Sequence, residues 1–229
     1  MSVNQSPTQA PAEERKKVSV RLIQAMKARR EPISMLTAYD YPTALIMDQA
    51  GIDIILVGDS LGMVVLGYDS TLPVTMDDMI HHCKAVARGA QYALLVGDMP
   101  FLSYQVSTTE AVRNAGRFLQ EAGMNAIKLE GGSERAETIR EIVHAGIPVM
   151  GHLGLTPQSV HKLGGFRPQG RDAETAFKLL EDALILRRQD ALAWCSNRSR
   201  AGLPGWSRSA LRSPPSGLAL APVVMGRCW

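Results

Sequence analysis

An Ala-Gly pair followed by an apolar run recurs along this chain. Ala50-Gly51 precedes Ile52, Ala122-Gly123 precedes Met124 and Ala145-Gly146 precedes Ile147, while Gly89-Ala90 stands in a similar relation to Tyr92. A glycine just past the last helical turn stops a helix, and a short apolar run after it reads as a strand buried on both faces. The segments between carry helix signals. Pro42 fits a first helical turn ahead of residues 43–50, Ser107-Thr108-Thr109-Glu110 matches a capping box, and Ser133 heads residues 134–144. Residues 18–30 place Leu22, Ile23 and Met26 at helical spacing before a first strand at 33–38. Ala176, Leu179, Leu180, Ala183 and Leu184 line one side of a helix over 172–186. Strand, helix and glycine repeat at least five times without a hairpin. That predicts a parallel α/β fold of the (β/α)8 TIM-barrel type.

Three of the strands end in a carboxylate. The run at 52–57 breaks into Gly58-Asp59-Ser60, the run at 92–97 delivers Asp98, and the run at 124–129 delivers Glu130. In a parallel β/α fold these ends share one face, the face that carries the chemistry. Three carboxylates there suit a hard divalent cation with room left for a ligand. Taken singly, Asp59 or Asp98 could instead cap the helix after its strand. Lys128, between Ile127 and Leu129, would point into the barrel mouth and requires an anionic partner there, which a substrate carboxylate could supply. His152 stands at another strand end, though a lone His is more often a structural hydrogen-bonder than a catalyst. His81 and His82 are adjacent on a helix and should diverge, and Glu134, Glu137 and Glu141 read as a solvated face. Residues 61–74 and 151–170 read as active-face loops.

No run of about 18 apolar residues occurs and residues 1–17 are polar, so neither a membrane span nor a secretory signal is expected. Cys83, Cys195 and Cys228 are odd in number and lack metal-type spacing, which points to a reduced, cytoplasmic setting. The net charge of +3 is uneven. From Arg187 onward there are seven Arg and one acid, a net of +6, which leaves 18 basic and 21 acidic residues before it, a net of −3. The basicity that would suggest a nucleic-acid partner is therefore confined to one segment. The same segment holds Trp194, Trp206 and Trp229, and no Ala-Gly-strand unit follows the helix over 172–186. The barrel is expected to be truncated after about five or six β/α units.

The stretches MLTAYDYPTA, VGDSLGMVVLGYDSTLPVT, GDMPFLSY, IKLEGG and GHLGLTPQSV resemble the 3-methyl-2-oxobutanoate (ketopantoate) hydroxymethyltransferase family, within the phosphoenolpyruvate-mutase/isocitrate-lyase-like barrels. The resemblance covers most of residues 33–186. It implies an enzyme that transfers a hydroxymethyl group from 5,10-methylenetetrahydrofolate to 3-methyl-2-oxobutanoate, giving 2-dehydropantoate in pantothenate and coenzyme A biosynthesis. It implies that the α-keto acid chelates Mg²⁺, which acidifies the neighbouring C–H and stabilises the enolate. Asp59, Asp98 and Glu130 are implied as metal ligands, some of them through water. Asp59, Ser60, Asp98 and Lys128 are implied to hold the keto acid, with His152 a further site residue. The family also implies a cytoplasmic homo-oligomer, a decamer, with no nucleic-acid or membrane partner.

The general base of the family is a glutamate on the next strand, and the chain as written has none to assign. Codons compatible with residues 188–200, read one nucleotide earlier, give AGCLGMVLEPIP, and those for 214–229 give TIGIGTGTGRHGQVL. The glutamate codon of the first would straddle Ser196 and Asn197. The expectation is a disordered segment over 1–17, a partial barrel catalytic domain over 18–186, and a disordered, out-of-frame tail over 187–229 that impairs the enzyme. Two other readings are an inactive remnant that keeps metal and keto-acid binding, and a related Mg-dependent carbon–carbon lyase. The absence of cysteine from the active-face loops of the first 186 residues weighs against the lyase.

Overall fold

A computed structural model describes residues 15–159 and 172–189, together with the backbone of two short strands further on. Helix α1 (Val20–Arg29) is capped by Ser19 and leads into β1 (Ile33–Thr37). Then follow α2 (Tyr41–Gln49), β2 (Ile54–Val57), the single turn α3 (Leu61–Val64), α4 (Met76–Gly89) and β3 (Leu94–Asp98). They are succeeded by α5 (Thr108–Ala122), β4 (Ala126–Glu130), α6 (Ala136–His144), β5 (Val149–Gly154) and α7 (Ala173–Arg188), and by β6 (Ala193–Asn197) and β7 (Val223–Met225). Every strand pair is parallel, and the order across the sheet is β6-β5-β4-β3-β2-β1-β7. The two outer strands, β6 and β7, come within 8 Å of each other, so the sheet curls toward closure as a barrel does.

The helix stops work largely as the sequence predicts. Gly51, Gly123 and Gly146 have φ of +89°, +69° and +85°, the left-handed conformation that glycine adopts without the strain other residues incur. Gly89 serves otherwise: a Cβ there would meet the Tyr41 carbonyl at 2.5 Å, so its role is to let α4 lie against α2. Ser107 accepts from the Glu110 amide, while the complete reciprocal capping box is the one between Thr75 and Asp78 at the head of α4.

The core has two parts. Inside the curl, Ile33, Met35, Ile54, Leu56, Leu94, Val96, Ala126 and Met150 pack together with Val18 and Ile23, so α1 and its entry cover one end. Outside, Ile55, Val57, Leu95, Ile127, Leu129 and Val149 pack against α4, α5, α6 and α7 through Val86, Phe118, Ile139, Ile142 and Leu186. Each Val, Leu, Ile, Met or Phe among them contributes about 1.5–3 kcal/mol on leaving water. Side chains alternate across a strand, so Leu94, Val96 and Asp98 form one inner row, Ala126, Lys128 and Glu130 a second, and Met150 and His152 a third. Each row is apolar at the covered end and ionisable at the other.

Two expectations need correction. Strands do follow the helix over 172–186: β6 pairs with β5 and β7 with β1. A parallel sheet edge offers unpaired N–H and C=O groups that almost any backbone can meet, so Ala193–Asn197 and Val223–Met225 take it without the expected Ala-Gly signal. The described chain also makes contacts before residue 18. The Arg15 guanidinium donates to the Asp48 and Ile52 carbonyls and lies 5.0 Å from the Tyr92 ring centre. The expectations for residues 1–14, for the loop at 160–171 and for the rest of the tail lie outside the described residues.

Candidate active site

The parallel register brings the ionisable ends of the inner rows side by side. Asp98 is paired across the ladder with Lys128, and Glu130 with His152. Lys128 Nζ donates to both Asp98 carboxylate oxygens at 2.6 Å. His152 Nδ1 lies 3.0 Å from Glu130 Oε1. Asp59, one residue past Gly58 at the end of β2, turns its main-chain N–H to Asp98 Oδ2 at 3.3 Å and its own carboxylate to Gln158 Nε2 at 2.9 Å. Neither Asp59 nor Asp98 caps a helix: Ser60 occupies the cap position of α3, and the carboxylates are engaged with each other's surroundings. All five ionisable groups are buried, none more than 5% exposed.

The partner that Lys128 requires is therefore Asp98 within the chain, where the sequence suggested a substrate carboxylate. Ser60 Oγ meets the Tyr39 hydroxyl at 2.9 Å, at the mouth beside β1. His82 Nδ1 lies 2.7 Å from the Tyr39 carbonyl, and the two histidine rings of α4 stand edge to face 5.3 Å apart without a shared ligand position. Among the described residues, Glu137 and Glu141 form ion pairs with Arg140 at the surface, as expected of a solvated face.

Two residues that sequence reasoning missed organise the centre. Gln158, in the 3₁₀ turn Pro157–Ser159 after β5, donates from its main-chain N–H to Glu130 Oε2 at 3.0 Å. Its side chain donates to Asp59 Oδ2 and to the Met99 carbonyl, both at 2.9 Å. Its Oε1 accepts from the Tyr104 hydroxyl at 2.7 Å and from Gln105 Nε2 at 3.2 Å. Tyr104, buried in the loop after β3, also accepts from the Glu130 N–H at 3.1 Å. Both sit inside stretches that carry the family resemblance, which was their one visible signal.

The electrostatics follow from three carboxylates facing one lysine and one imidazole. Burial, reinforced by the neighbouring Asp98 charge and by Glu130, pushes Asp59 up to about 8 against the opposing pull of Lys128. Burial also raises Asp98, although Lys128 opposes it. Burial lifts Glu130 too, but the His152 hydrogen bond and charge, Lys128 and the Gln158 amide outweigh it and hold the group below its usual value. His152 Nε2 is buried and has no hydrogen-bond partner among the described residues. Among those residues, no three of these groups converge at ligating distance as they stand. The donor chemistry nevertheless fits a hard cation: carboxylate oxygens in excess of positive charge, with Asp59 paired, among the described residues, to a neutral amide. Loading such an ion would require Lys128 to yield the Asp98 oxygens, both of which it holds, whereas Gln158 engages one oxygen of Asp59 and one of Glu130.

A family model described as ketopantoate hydroxymethyltransferase matches residues 17–195. The chain is 66% identical over 170 residues to the 3-methyl-2-oxobutanoate hydroxymethyltransferase of Syntrophomonas wolfei, covering 74% of this chain and 62% of that one. It is 54% identical over 214 residues to the enzyme of the same name from Moorella thermoacetica, covering 93% and 80%. The chain spans 62–65% of the length of the first three relatives it matches. Among solved structures, it resembles a phosphonopyruvate hydrolase complexed with oxalate and Mg²⁺ at TM-score 0.63 and 15% identity, over 88% of this chain and 70% of that one. A phosphoenolpyruvate phosphomutase from Streptomyces platensis matches at 0.64 and 15%, over 90% and 72%. At that identity these two likenesses bear on the fold alone.

Proposed function

This chain belongs to the ketopantoate hydroxymethyltransferase family, and we propose that it is built to transfer a hydroxymethyl group from 5,10-methylenetetrahydrofolate to 3-methyl-2-oxobutanoate. The product would be 2-dehydropantoate, in pantothenate biosynthesis. One observation carries the reading: a buried Lys128–Asp98 pair flanked by Asp59 and Glu130 at the ends of adjacent parallel strands. A Mg²⁺ ion held by Asp59, Asp98 and Glu130 would polarise the keto oxygen and make the adjacent C–H more acidic. Lys128, released from Asp98, carries the positive charge for the substrate carboxylate. Ser60 and Tyr39 supply hydroxyls at the mouth, and His152 Nε2 is a buried ring nitrogen with hydrogen-bonding capacity to spare. The apolar inner rows beneath exclude water from the carbon acid. The same reading makes the protein a cytoplasmic homo-oligomer with no nucleic-acid or membrane partner; no described helix is long and apolar enough to cross a membrane.

The proton acceptor is missing from this assignment. Strand β6 runs beside β5 with Ser196 level with Leu153 and Asn197 level with Gly154. The glutamate of the alternative reading frame, at 196–197, would thus stand at the ionisable end of the sheet, one strand from His152. We propose that the chain as written binds substrate without efficient turnover, and that the frame-restored chain is the competent enzyme. Calorimetry should register 3-methyl-2-oxobutanoate binding that depends on Mg²⁺. Turnover with the folate donor should be about 10²–10⁴-fold lower than in the frame-restored chain, the usual worth of a general base. A chain that takes up no keto acid in the presence of Mg²⁺ sinks the substrate reading, and equal turnover in the two chains sinks the base assignment.

A further inference from the structure

Gln158 uses every hydrogen-bonding position of its side chain. Two donors go to Asp59 Oδ2 and the Met99 carbonyl, and two acceptor positions take the Tyr104 hydroxyl and Gln105 Nε2. The amide can therefore sit only one way round: flipped, its oxygen would face a carboxylate and a carbonyl. Its main-chain N–H reaches a third element by donating to Glu130 Oε2. One residue on the loop after β5 thus ties together the ends of β2 and β4 and the first loop residue after β3. It is 6% exposed, and Asp59, Tyr104 and Glu130 are buried with it.

We propose that Gln158, oriented by Tyr104, is a positioning residue for the divalent-cation site, restraining the Asp59 and Glu130 carboxylates relative to one another before the ion enters. The inference rests on the cation reading of the preceding section. A neutral donor suits the task because it fixes a carboxylate without supplying the positive charge that a cation brings. A lysine in its place would occupy the site instead of preparing it. Tyr104 sets the amide through its 2.7 Å contact with Oε1 and is itself anchored on the Glu130 main chain, so both carboxylates are positioned from the same hydroxyl.

The test is Mn²⁺ affinity, read from the electron paramagnetic resonance signal of the free ion, for the full 229-residue chain and the variants Gln158→Met and Tyr104→Phe. Methionine keeps the volume and removes the amide; phenylalanine keeps the amide and removes its orienting hydroxyl. Loss of such an outer partner should raise the dissociation constant about 10-fold or more in Gln158→Met. In Tyr104→Phe the rise should be smaller but measurable. Melting temperatures without metal separate this from a purely structural role, which would lower stability and leave the affinity of the folded protein as it was. Unchanged affinity in both variants overturns the inference and leaves the cation reading intact. A wild-type chain that binds no Mn²⁺ overturns the cation reading and the inference with it. Should Gln158→Met fail to fold, Tyr104→Phe decides: a weakened affinity supports the brace, and an unchanged one rejects it.

Discussion

Asp59 differs from an ordinary aspartate because its side-chain partner among the described residues is neutral while its charged neighbours are mostly carboxylates. Its folded-state value of about 8 lies above the ordinary 3.8 of an unfolded chain. Between those two values the folded protein holds a proton that the unfolded chain has released, so stability falls as pH rises through the window. Asparagine at this position removes the dependence. Without divalent cation, the melting temperature of Asp59→Asn should therefore exceed that of the wild type by a margin that widens from pH 5 to about 8 and then levels. A margin independent of pH would mean that Asp59 is already ionised in the folded protein. Lys128 and Asp98 present the other case, a buried pair whose net contribution to stability is small although loss of one member alone is costly.

At the level of elements, the end of the sheet away from the site has its own fastening. Asp48, buried on α2, accepts from the amides of Gln91 at 3.0 Å, Tyr92 at 3.1 Å and Ala93 at 2.7 Å, and so fixes where β3 begins. Asp48→Ala should cost about 1–3 kcal/mol for each amide left without a partner, less whatever entering water restores. Asp48→Asn, which keeps one acceptor oxygen, should cost less. Urea unfolding measures both, and a loss below about 1 kcal/mol for the alanine would mean that the strand entry is held by packing instead. Asp48 and Gln158 mark the limit of what the sequence discloses. The strand-end carboxylates, Lys128 and His152 were legible because alternation along a strand and a common strand direction fix where such side chains go. A polar residue on a helix or loop that meets amides or carboxylates 43 to 99 positions away leaves no local periodicity to read.

Across the whole molecule, the parallel barrel was legible from the helix-glycine-strand rhythm, and its closing strands were not. Ladder pairing at the edges of β5 and β1 depends on backbone groups, which every sequence supplies, so composition was a poor guide to residues 193–197 and 223–225. Removal of residues 190–229 would leave both edges open. The shortened chain should self-associate at concentrations where the full chain does not, as light scattering would register. Equal dispersity in the two would assign those strands no protective part. The Gln158 brace also has a consequence in time. Asp59 and its partner are 99 residues apart, and chains emerge at roughly 5–20 residues per second. Asp59 therefore waits about 5–20 s during synthesis for the amide meant to hold it, while Asp98 and Glu130 join the growing chain partway through. Lys128 enters the chain just ahead of Glu130 and well ahead of Gln158, so the Lys128–Asp98 pair can form before the brace does.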